Sequence, residues 1–267
     1  MPVKLVALDL DDTLLDCGLR ISPRCIQTIQ AVRKQGVIVT IATGRMFKSA
    51  LPYARQLEMD VPLITYQGAW VKNLLSGEVL YYRPVDRELA RAVFELFDCC
   101  GVHYHSYFDD NLCMENLTEE GRYYAQIAGV KPVMVDNLYA ELEKREPFKI
   151  MGITFNEKML LDMELFLKNR FGRELYITRS KPNFLEVMNR QATKADALQV
   201  VAEHYGIDRS NVMAIGDSYN DMDMLEWAGL GVAMGNAPKD VKEAADYVTT
   251  SNEEEGVAEA LRRFVLN

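Results

Sequence analysis

An α/β fold, a doubly wound parallel sheet core with an inserted α+β domain, is predicted by three features of the 267-residue sequence. Apolar, β-branched runs alternate with amphipathic helical stretches at both ends of the chain, the rhythm of strand, crossover helix, strand. The middle of the chain loses that rhythm and alternates residue by residue, as hairpins do. Length agrees, because at roughly 150 residues per domain the chain has room for two small domains or one large one.

Residues 3–10 form an apolar run, broken only by Lys4 and Asp9, of the kind buried on both faces of a sheet, which predicts the first strand. Ser22-Pro23 offers an N-cap and a first helical position ahead of Ile26, Ile29 and Val32, and Gly36 closes that helix. Residues 37–42 are a second β-branched strand, so the crossover between the two is right-handed and the strands are parallel. A helix over 46–57 and a strand over 63–66 continue the series. The last third resumes it, with a helix over 194–205, a strand at 212–215, a helix from Asp221, a strand at 231–234 and a final helix reaching Phe264. Between them, residues 102–116 alternate through His103, His105 and Tyr107 and turn at Asp109-Asp110-Asn111, while 148–155 and 174–188 also read as strands. Leu89, Val93, Leu96, Phe97 and Cys100 form one helical stripe and Leu160, Met163, Phe166 and Leu167 another. The domains expected are therefore a core of residues 1–83 plus 191–267 and an insertion of residues 84–190.

Composition narrows the function. With 49% hydrophobic and 26% charged residues the chain falls among ordinary globular proteins, which excludes disordered, collagen-like and coiled-coil classes. Thirty Lys and Arg against 39 Asp and Glu leave a net charge of −9, a poor match to gripping nucleic-acid backbones or anionic lipid. Five Cys without a C-x-x-C suggest neither a disulfide framework nor a zinc knuckle, and fit a reducing compartment. No basic segment precedes the first apolar run and no apolar stretch approaches ~18 residues, so neither export nor a membrane span is expected and the expected location is cytoplasmic.

Chemistry concentrates at strand ends. Asp9-Leu10-Asp11-Asp12-Thr13 ends the first strand, where Asp9 and Asp11 are expected to point to the same side of the chain, at the end of a parallel sheet where ligands bind. Two such carboxylates suit a nucleophile beside a general acid/base, or a hard cation such as Mg²⁺; a turn-capping Asp cluster is the structural alternative. An EF-hand is excluded, since counting from Asp9 places Thr13 and Leu14 where an acidic ligand and Gly belong. Thr43 and Gly44 follow the second strand and bring a hydroxyl and backbone N–H groups to a helix start, where an anion would sit. Lys194 opens a helix, and Gly216-Asp217-Ser218-Tyr219-Asn220-Asp221 follows another strand with two carboxylates four residues apart. Each alone reads equally as a cap or a solvated charge. Their coincidence at the strand–helix junctions of one sheet favours a site.

In this combination the sequence resembles the haloacid dehalogenase (HAD) superfamily, and within it the Cof-type phosphatase branch, subfamily IIB, with an α/β cap. Residues 9–14 (DLDDTL) are similar to its first motif, 41–45 (IATGR) to the second, Lys194 to the third and 216–221 (GDSYND) to the fourth. Gly235-Asn236-Ala237, residues 249–252 and Gly256-Val257-Ala258 match its C-terminal pattern. Three positions depart: Asp12 where Gly is usual, Gln67 where Asn is usual, and Ala195 where Gly often follows the Lys. The resemblance implies a Rossmann-like core with a cap that sets substrate specificity. It further implies an Mg²⁺-dependent phosphatase acting on small phosphate monoesters, sugar phosphates or related metabolites. Asp9 would be the nucleophile that becomes an aspartyl-phosphate, and Asp11 the acid/base. Thr43, Gly44, Lys194 and Asn220 would hold the phosphoryl group. Asp9, the Asp11 backbone carbonyl, Asp217 and Asp221 would hold Mg²⁺. A metal and a Lys would also invert the local field of an acidic chain so that it accepts a phosphate.

Gly229-x-Gly231-x-x-x-Gly235 lacks dinucleotide-fingerprint spacing and leads into a strand, so it reads as packing and a turn. His103 and His105, on one face of a strand, read first as part of an amphipathic strand and second as a metal pair or substrate contact. Tyr104, Tyr107, Phe108, Tyr123 and Tyr124 could pack a small domain or line a pocket. A phosphomutase and a catalytically silent phospho-ligand sensor are the alternative functions on this scaffold. The partner expected is a small phosphorylated metabolite, with no nucleic acid or membrane, for a monomer or weak homo-oligomer.

Overall fold

The structure, a computed structural model, describes residues 2–266, and the chain folds into two compact units. One takes the chain up to Tyr82 and from Thr193 onward; the other is Arg83–Ala192.

In chain order the first unit begins β1 (Leu5–Leu8), α1 (Pro23–Lys34), β2 (Ile38–Ile41), α2 (Phe47–Gln56), β3 (Pro62–Thr65), β4 (Trp70–Asn73) and β5 (Val79–Tyr82). The second unit supplies α3 (Arg87–Cys100), β6 (His103–Phe108), β7 (Asn111–Met114), α4 (Glu119–Ala128), β8 (Val133–Met134), α5 (Leu138–Lys144), β9 (Ile150–Ile153), α6 (Glu157–Phe171), β10 (Leu175–Lys181) and β11 (Phe184–Asn189). The chain then returns to the first unit with α7 (Lys194–His204), β12 (Val212–Gly216), α8 (Met222–Trp227), β13 (Leu230–Ala233), α9 (Lys239–Ala244), β14 (Tyr247–Val248) and α10 (Gly256–Leu261).

The core sheet is parallel throughout, in the order β14-β13-β12-β1-β2. All four residues of β1 have zero exposure, because both faces of this central strand are covered. On one face Leu5 and Ala7 pack with Ala197, Leu198 and Val201 of α7 and Met224 and Leu225 of α8. Ser22 caps α1 by accepting from the Cys25 N–H, with Pro23 at the first position, as expected. A lone parallel bridge from Ala42 to Ile64 carries the edge onward to the antiparallel sheet β3-β4-β5. Strand order reverses between β1 and β12: the chain runs outward from β1 to β2 on one side and through β12, β13 and β14 on the other. In such sheets the carboxyl ends of the two strands flanking the reversal form a ligand crevice.

The second unit is a six-stranded sheet, β10-β11-β9-β6-β7-β8, antiparallel except for the β7–β8 pair. The expected turn at Asp109-Asp110 joins β6 to β7, both residues lying at positive φ (46° and 58°) as a two-residue hairpin turn requires. The segment 174–188, which reads as one strand, is two: β10 and β11 form a hairpin. Val93, Phe94 and Phe97 of α3, Leu160 and Leu167 of α6 and Leu142 of α5 cover one face of this sheet. Strand alternation divides the aromatic cluster accordingly. Phe108 joins that core and Tyr104 packs against it, on Phe94 and Phe97, with centroids at 5.0 and 5.7 Å. Tyr107 lies elsewhere, its hydroxyl 2.6 Å from that of Tyr124, and Tyr123 and Tyr124 pack on Phe184.

Candidate active site

Asp9 and Asp217 follow β1 and β12, the two strands that flank the reversal of strand order, so the topology alone brings them together. The Asp9 N–H donates to the Ile215 carbonyl at 3.0 Å, extending the ladder by one rung past β1. There the extended chain stops. Residues Leu10–Leu14 form a helical turn in which Asp12 takes a left-handed conformation (φ 58°). Period-two alternation therefore does not reach Asp11, and the two aspartates that strand geometry would have aimed to one side meet different partners, Asp9 the Lys194 ammonium and Asp11 the Arg45 guanidinium.

Asp9 is buried and its Oδ1 accepts from Lys194 Nζ at 2.7 Å. The same ammonium donates to Asp221 Oδ1 at 2.5 Å. Asp221 Oδ2 accepts in turn from the backbone N–H groups of Asp217 and Ser218, both at 3.0 Å, and Asp217 Oδ1 accepts from the Thr13 hydroxyl at 3.0 Å. Lys194 reaches this depth because Thr193 caps α7 and Gly68 admits the helix start: a Cβ on Gly68 would stand 2.0 Å from the Thr193 carbonyl oxygen. The charges do not balance. Three buried carboxylates surround one ammonium, so burial, reinforced by Asp221 and Asp217 and opposed by Lys194, holds the Asp9 carboxyl well above its ordinary range. Burial and the Asp221 charge push Asp217 up to about 7. For Lys194 burial works against the charge, but Asp221 and Asp9 outweigh it and the ammonium is held more firmly than in water.

Asp11 stands apart, half exposed, with its carboxylate forked by Arg45: Nε to Oδ2 is 2.8 Å and Nη2 to Oδ1 is 2.5 Å. Thr43 is buried, but α2 starts only at Phe47, so neither Thr43 nor Gly44 occupies its N-terminus as expected. The Thr43 N–H donates to the Ile64 carbonyl, and its hydroxyl accepts from the Arg45 N–H at 3.1 Å. A Cβ on Gly44 would meet the Gln67 amide at 2.4 Å, so the absent side chain is what lets Gln67 lie there. Gln67 is buried at φ 58° and its Oε1 accepts from Asn220 Nδ2 at 2.7 Å. The structure thus joins Asn220 to the Gln67 side of the site and Asp221 to the Lys194 side.

Asp9, Asp217 and Asp221 offer carboxylate oxygens that all lie within 4.8 Å of one another. Excess buried negative charge, oxygen-only donors and raised carboxyl pKa values are what a hard divalent cation would relieve, so the residues fit Mg²⁺. Asp221 already has both oxygens engaged and orients its neighbours, while Asp9 and Asp217 each keep one oxygen without a hydrogen bond among the described residues. The Asp triad is the only group of three or more His, Cys, Asp or Glu side chains in metal-binding array among the described residues. His103 instead meets the Thr118 hydroxyl that caps α4, and His105 is buried against Tyr124, its ring kept neutral by burial.

The sequence profile of haloacid dehalogenase-like hydrolases matches residues 6–261. The chain belongs to that family. Its enzyme class is the one the motifs imply, a phosphoric monoester hydrolase, and two solved structures place its fold. A haloacid dehalogenase-like hydrolase from Bacteroides thetaiotaomicron superposes with a TM-score of 0.89 at 32% identity, covering 98% of this chain and 99% of the other. The subclass IIB sugar phosphatase BT4131 superposes at 0.82 with 27% identity, covering 98% and 99%. By sequence, the Bacillus subtilis 5-amino-6-(5-phospho-D-ribitylamino)uracil phosphatase YcsE is 34% identical over 268 residues, 99% of this chain and 96% of that protein. Within this HAD hydrolase the departure at Asp12 has a local cause: the position is left-handed, where Gly is at ease and Asp is among the better tolerated side chains. No helix among the described residues is long and apolar enough to cross a membrane.

Sequence reasoning missed Arg45 as a partner of Asp11, Thr13 as a donor to Asp217, and Asp223, whose Oδ2 accepts from the Ala195 N–H and helps seat α7. Arg45 and Thr13 lie inside the first two motifs, so the motif boundaries carried the signal although spacing did not.

Proposed function

We propose that this HAD phosphatase hydrolyses small phosphate monoesters, a sugar phosphate or related metabolite, in the cytoplasm, through an aspartyl-phosphate on Asp9 and with Mg²⁺ as cofactor. The observation that carries the proposal is the cluster at the carboxyl ends of β1 and β12, a buried carboxylate in direct contact with a buried Lys and flanked by two more carboxylates. BT4131 is a sugar phosphatase and YcsE acts on a phosphoribityl compound, which sets the substrate classes to try first.

In the proposed cycle an oxygen of Asp9 attacks phosphorus in line, the bond from phosphorus to the alcohol oxygen breaks, and Asp11 delivers a proton to that oxygen. Water then attacks the phospho-Asp9 phosphorus, Asp11 takes the water proton, and Asp9 leaves as the carboxylate. Lys194, Thr43, the Gly44 N–H and Asn220 would meet the phosphoryl oxygens, supplying positioning and charge for a transition state that asks for little else. Asp9, the Asp11 carbonyl and Asp217 would hold Mg²⁺, with Asp221 in support; the ion would neutralise the phosphoryl oxygens. Residues 84–190 act in this reading as the cap that ranks substrates.

Release of inorganic phosphate from a panel of sugar and polyol phosphates tests the proposal. Turnover that needs Mg²⁺ and disappears in Asp9→Asn supports it; turnover that survives Asp9→Asn refutes it.

A further inference from the structure

Arg45 is a cation beside the site that the proposed cycle leaves without a task, and its surroundings are built. Its side chain is only 19% exposed. Beyond the two bonds to Asp11, its Nη1 is 3.4 Å from the Tyr53 hydroxyl and its guanidinium lies over the Tyr53 ring at 5.2 Å. The backbone is tied on both sides: the Arg45 N–H donates to the Thr43 hydroxyl at 3.1 Å and its carbonyl accepts from the Tyr66 N–H at 3.0 Å. Burial alone would weaken the cation, but the Asp11 hydrogen bonds and charge overcome it. Asp11 has none of this scaffolding. Its side chain is 47% exposed and sits in a turn that mixes helical and extended residues. Among the described residues Arg45 is its side chain's only partner in a hydrogen bond or ion pair.

A half-exposed carboxylate without a partner samples several rotamers, whereas a planar fork with two parallel N–H bonds fixes both the position and the plane of the group. We propose that Arg45 is the positioning residue of Asp11, holding the carboxylate oriented to receive the proton of the attacking water in the second half of the cycle. This deepens the phosphatase reading and rests on it. The balance is that of the hydrolysis step: the water oxygen bonds to phosphorus, the bond from phosphorus to the Asp9 oxygen breaks, and the water proton passes to Asp11. Arg45 keeps its own protons throughout.

The inference is tested with the full-length protein, Mg²⁺ and an aryl phosphate, whose phenolate departs without a proton. In Arg45→Met, phosphorylation of Asp9 continues while its hydrolysis slows by about 10- to 100-fold, at or below the lower end of the roughly 100- to 10,000-fold that a general base supplies, because Asp11 is misplaced rather than removed. Phenol then appears as a burst, and phospho-Asp9 accumulates and is seen by intact-protein mass. Arg45→Lys, which can offer one bond in place of two, falls between, and adding Arg45→Met to Asp11→Asn changes nothing further. Equal loss in both half-reactions without phosphoenzyme, or the same loss repeated in the Asp11→Asn background, would overturn the assignment. If circular dichroism shows Arg45→Met to be unfolded, Arg45→Lys decides: a trapped phosphoenzyme supports the role, and parental kinetics refute it. Asp9→Asn run in parallel separates the two claims, because parental turnover that survives Asp9→Asn refutes the phosphatase reading itself.

Discussion

Lys194 is the cation inside a ring of three carboxylates, and its removal is the sharpest perturbation the core permits. Lys194→Met keeps an unbranched apolar stem one atom shorter than the native chain, so packing around the zero-exposure chain is largely preserved while the charge is lost. Breaking a buried ion pair by deleting one partner costs about 3–5 kcal/mol, because the remaining charge is stranded. Here two partners are stranded, Asp9 and Asp221, which places the loss toward the upper end near neutral pH. For a unit of this size about 1 kcal/mol moves the melting temperature by roughly 2–4 °C, so a fall of about 10–20 °C is expected. The sign of its pH dependence follows from the carboxyls. Asp9 and Asp217 already titrate above their unfolded values, and without the ammonium they rise further. Raised carboxyl groups contribute stability that is complete below their unfolded pKa and is lost as pH rises through the folded one. The variant should therefore lose little relative to the parent at pH 5 and most at pH 8, and Mg²⁺ should restore part of the difference at pH 8. Thermal unfolding followed by circular dichroism, at both pH values and with and without Mg²⁺, measures all of this. A shift below 2 °C, or one of equal size at both pH values, would show that Lys194 does not compensate the triad.

Three further outcomes follow from the site. Asp217, pushed up to about 7, must lose its proton to ligate a cation. The Mg²⁺ concentration for half-maximal binding should fall by at least about tenfold per unit as pH rises toward 7, since Asp217 and the raised Asp9 carboxyl must both be deprotonated to ligate, as titration calorimetry would record; a flat profile from pH 5 to 8 removes Asp217 from the metal site. Asp11→Asn should cripple hydrolysis of a sugar phosphate yet give a burst of phenol from an aryl phosphate and stall as phospho-Asp9, whereas Asp9→Asn should be inactive with both; equal losses in Asp11→Asn, with no trapped species, make Asp11 structural. Asp12→Gly relieves a left-handed, exposed residue and should raise stability by at most about 1 kcal/mol, since Gly also gains entropy in the unfolded chain; a loss above that size in chemical denaturation would show that the Asp12 side chain is needed.

The core was legible because burial on two faces leaves a strong signature. The apolar runs at β1, β2, β12 and β13 are long enough to stand out from turns, and Asp9 and Asp217 are readable as candidate site residues because each follows such a run. The hairpin of β4 and β5 left no such trace. Trp70–Asn73 mixes apolar and polar residues, and Val79–Tyr82 is partly exposed along its length, so neither apolar runs nor clean alternation survive. The same holds for the two-residue strands β8 and β14, which exist only because a neighbour pairs with them. Helix α4 has strong caps at Thr118 and Gly129 but only Gly121 and Tyr124 buried, too few for a stripe.

Within the site the division is finer. Spacing alone gives Asp9 and Asp11 as equivalent, two residues apart on one strand. The fold distinguishes them by ending the strand at Leu8. Asp9 goes inward to an ammonium and two carboxylates, and Asp11 stays at the surface, forked by a guanidinium from the next strand–helix junction. A nucleophile should be fixed, dehydrated and close to the charge that will neutralise its target, whereas an acid/base must reach both a departing alcohol and an entering water. The surroundings of the two carboxylates match those two requirements in that order. Long-range side-chain partners, Lys194 from 185 residues away and Arg45 from 34, make the distinction, and no local periodicity encodes them.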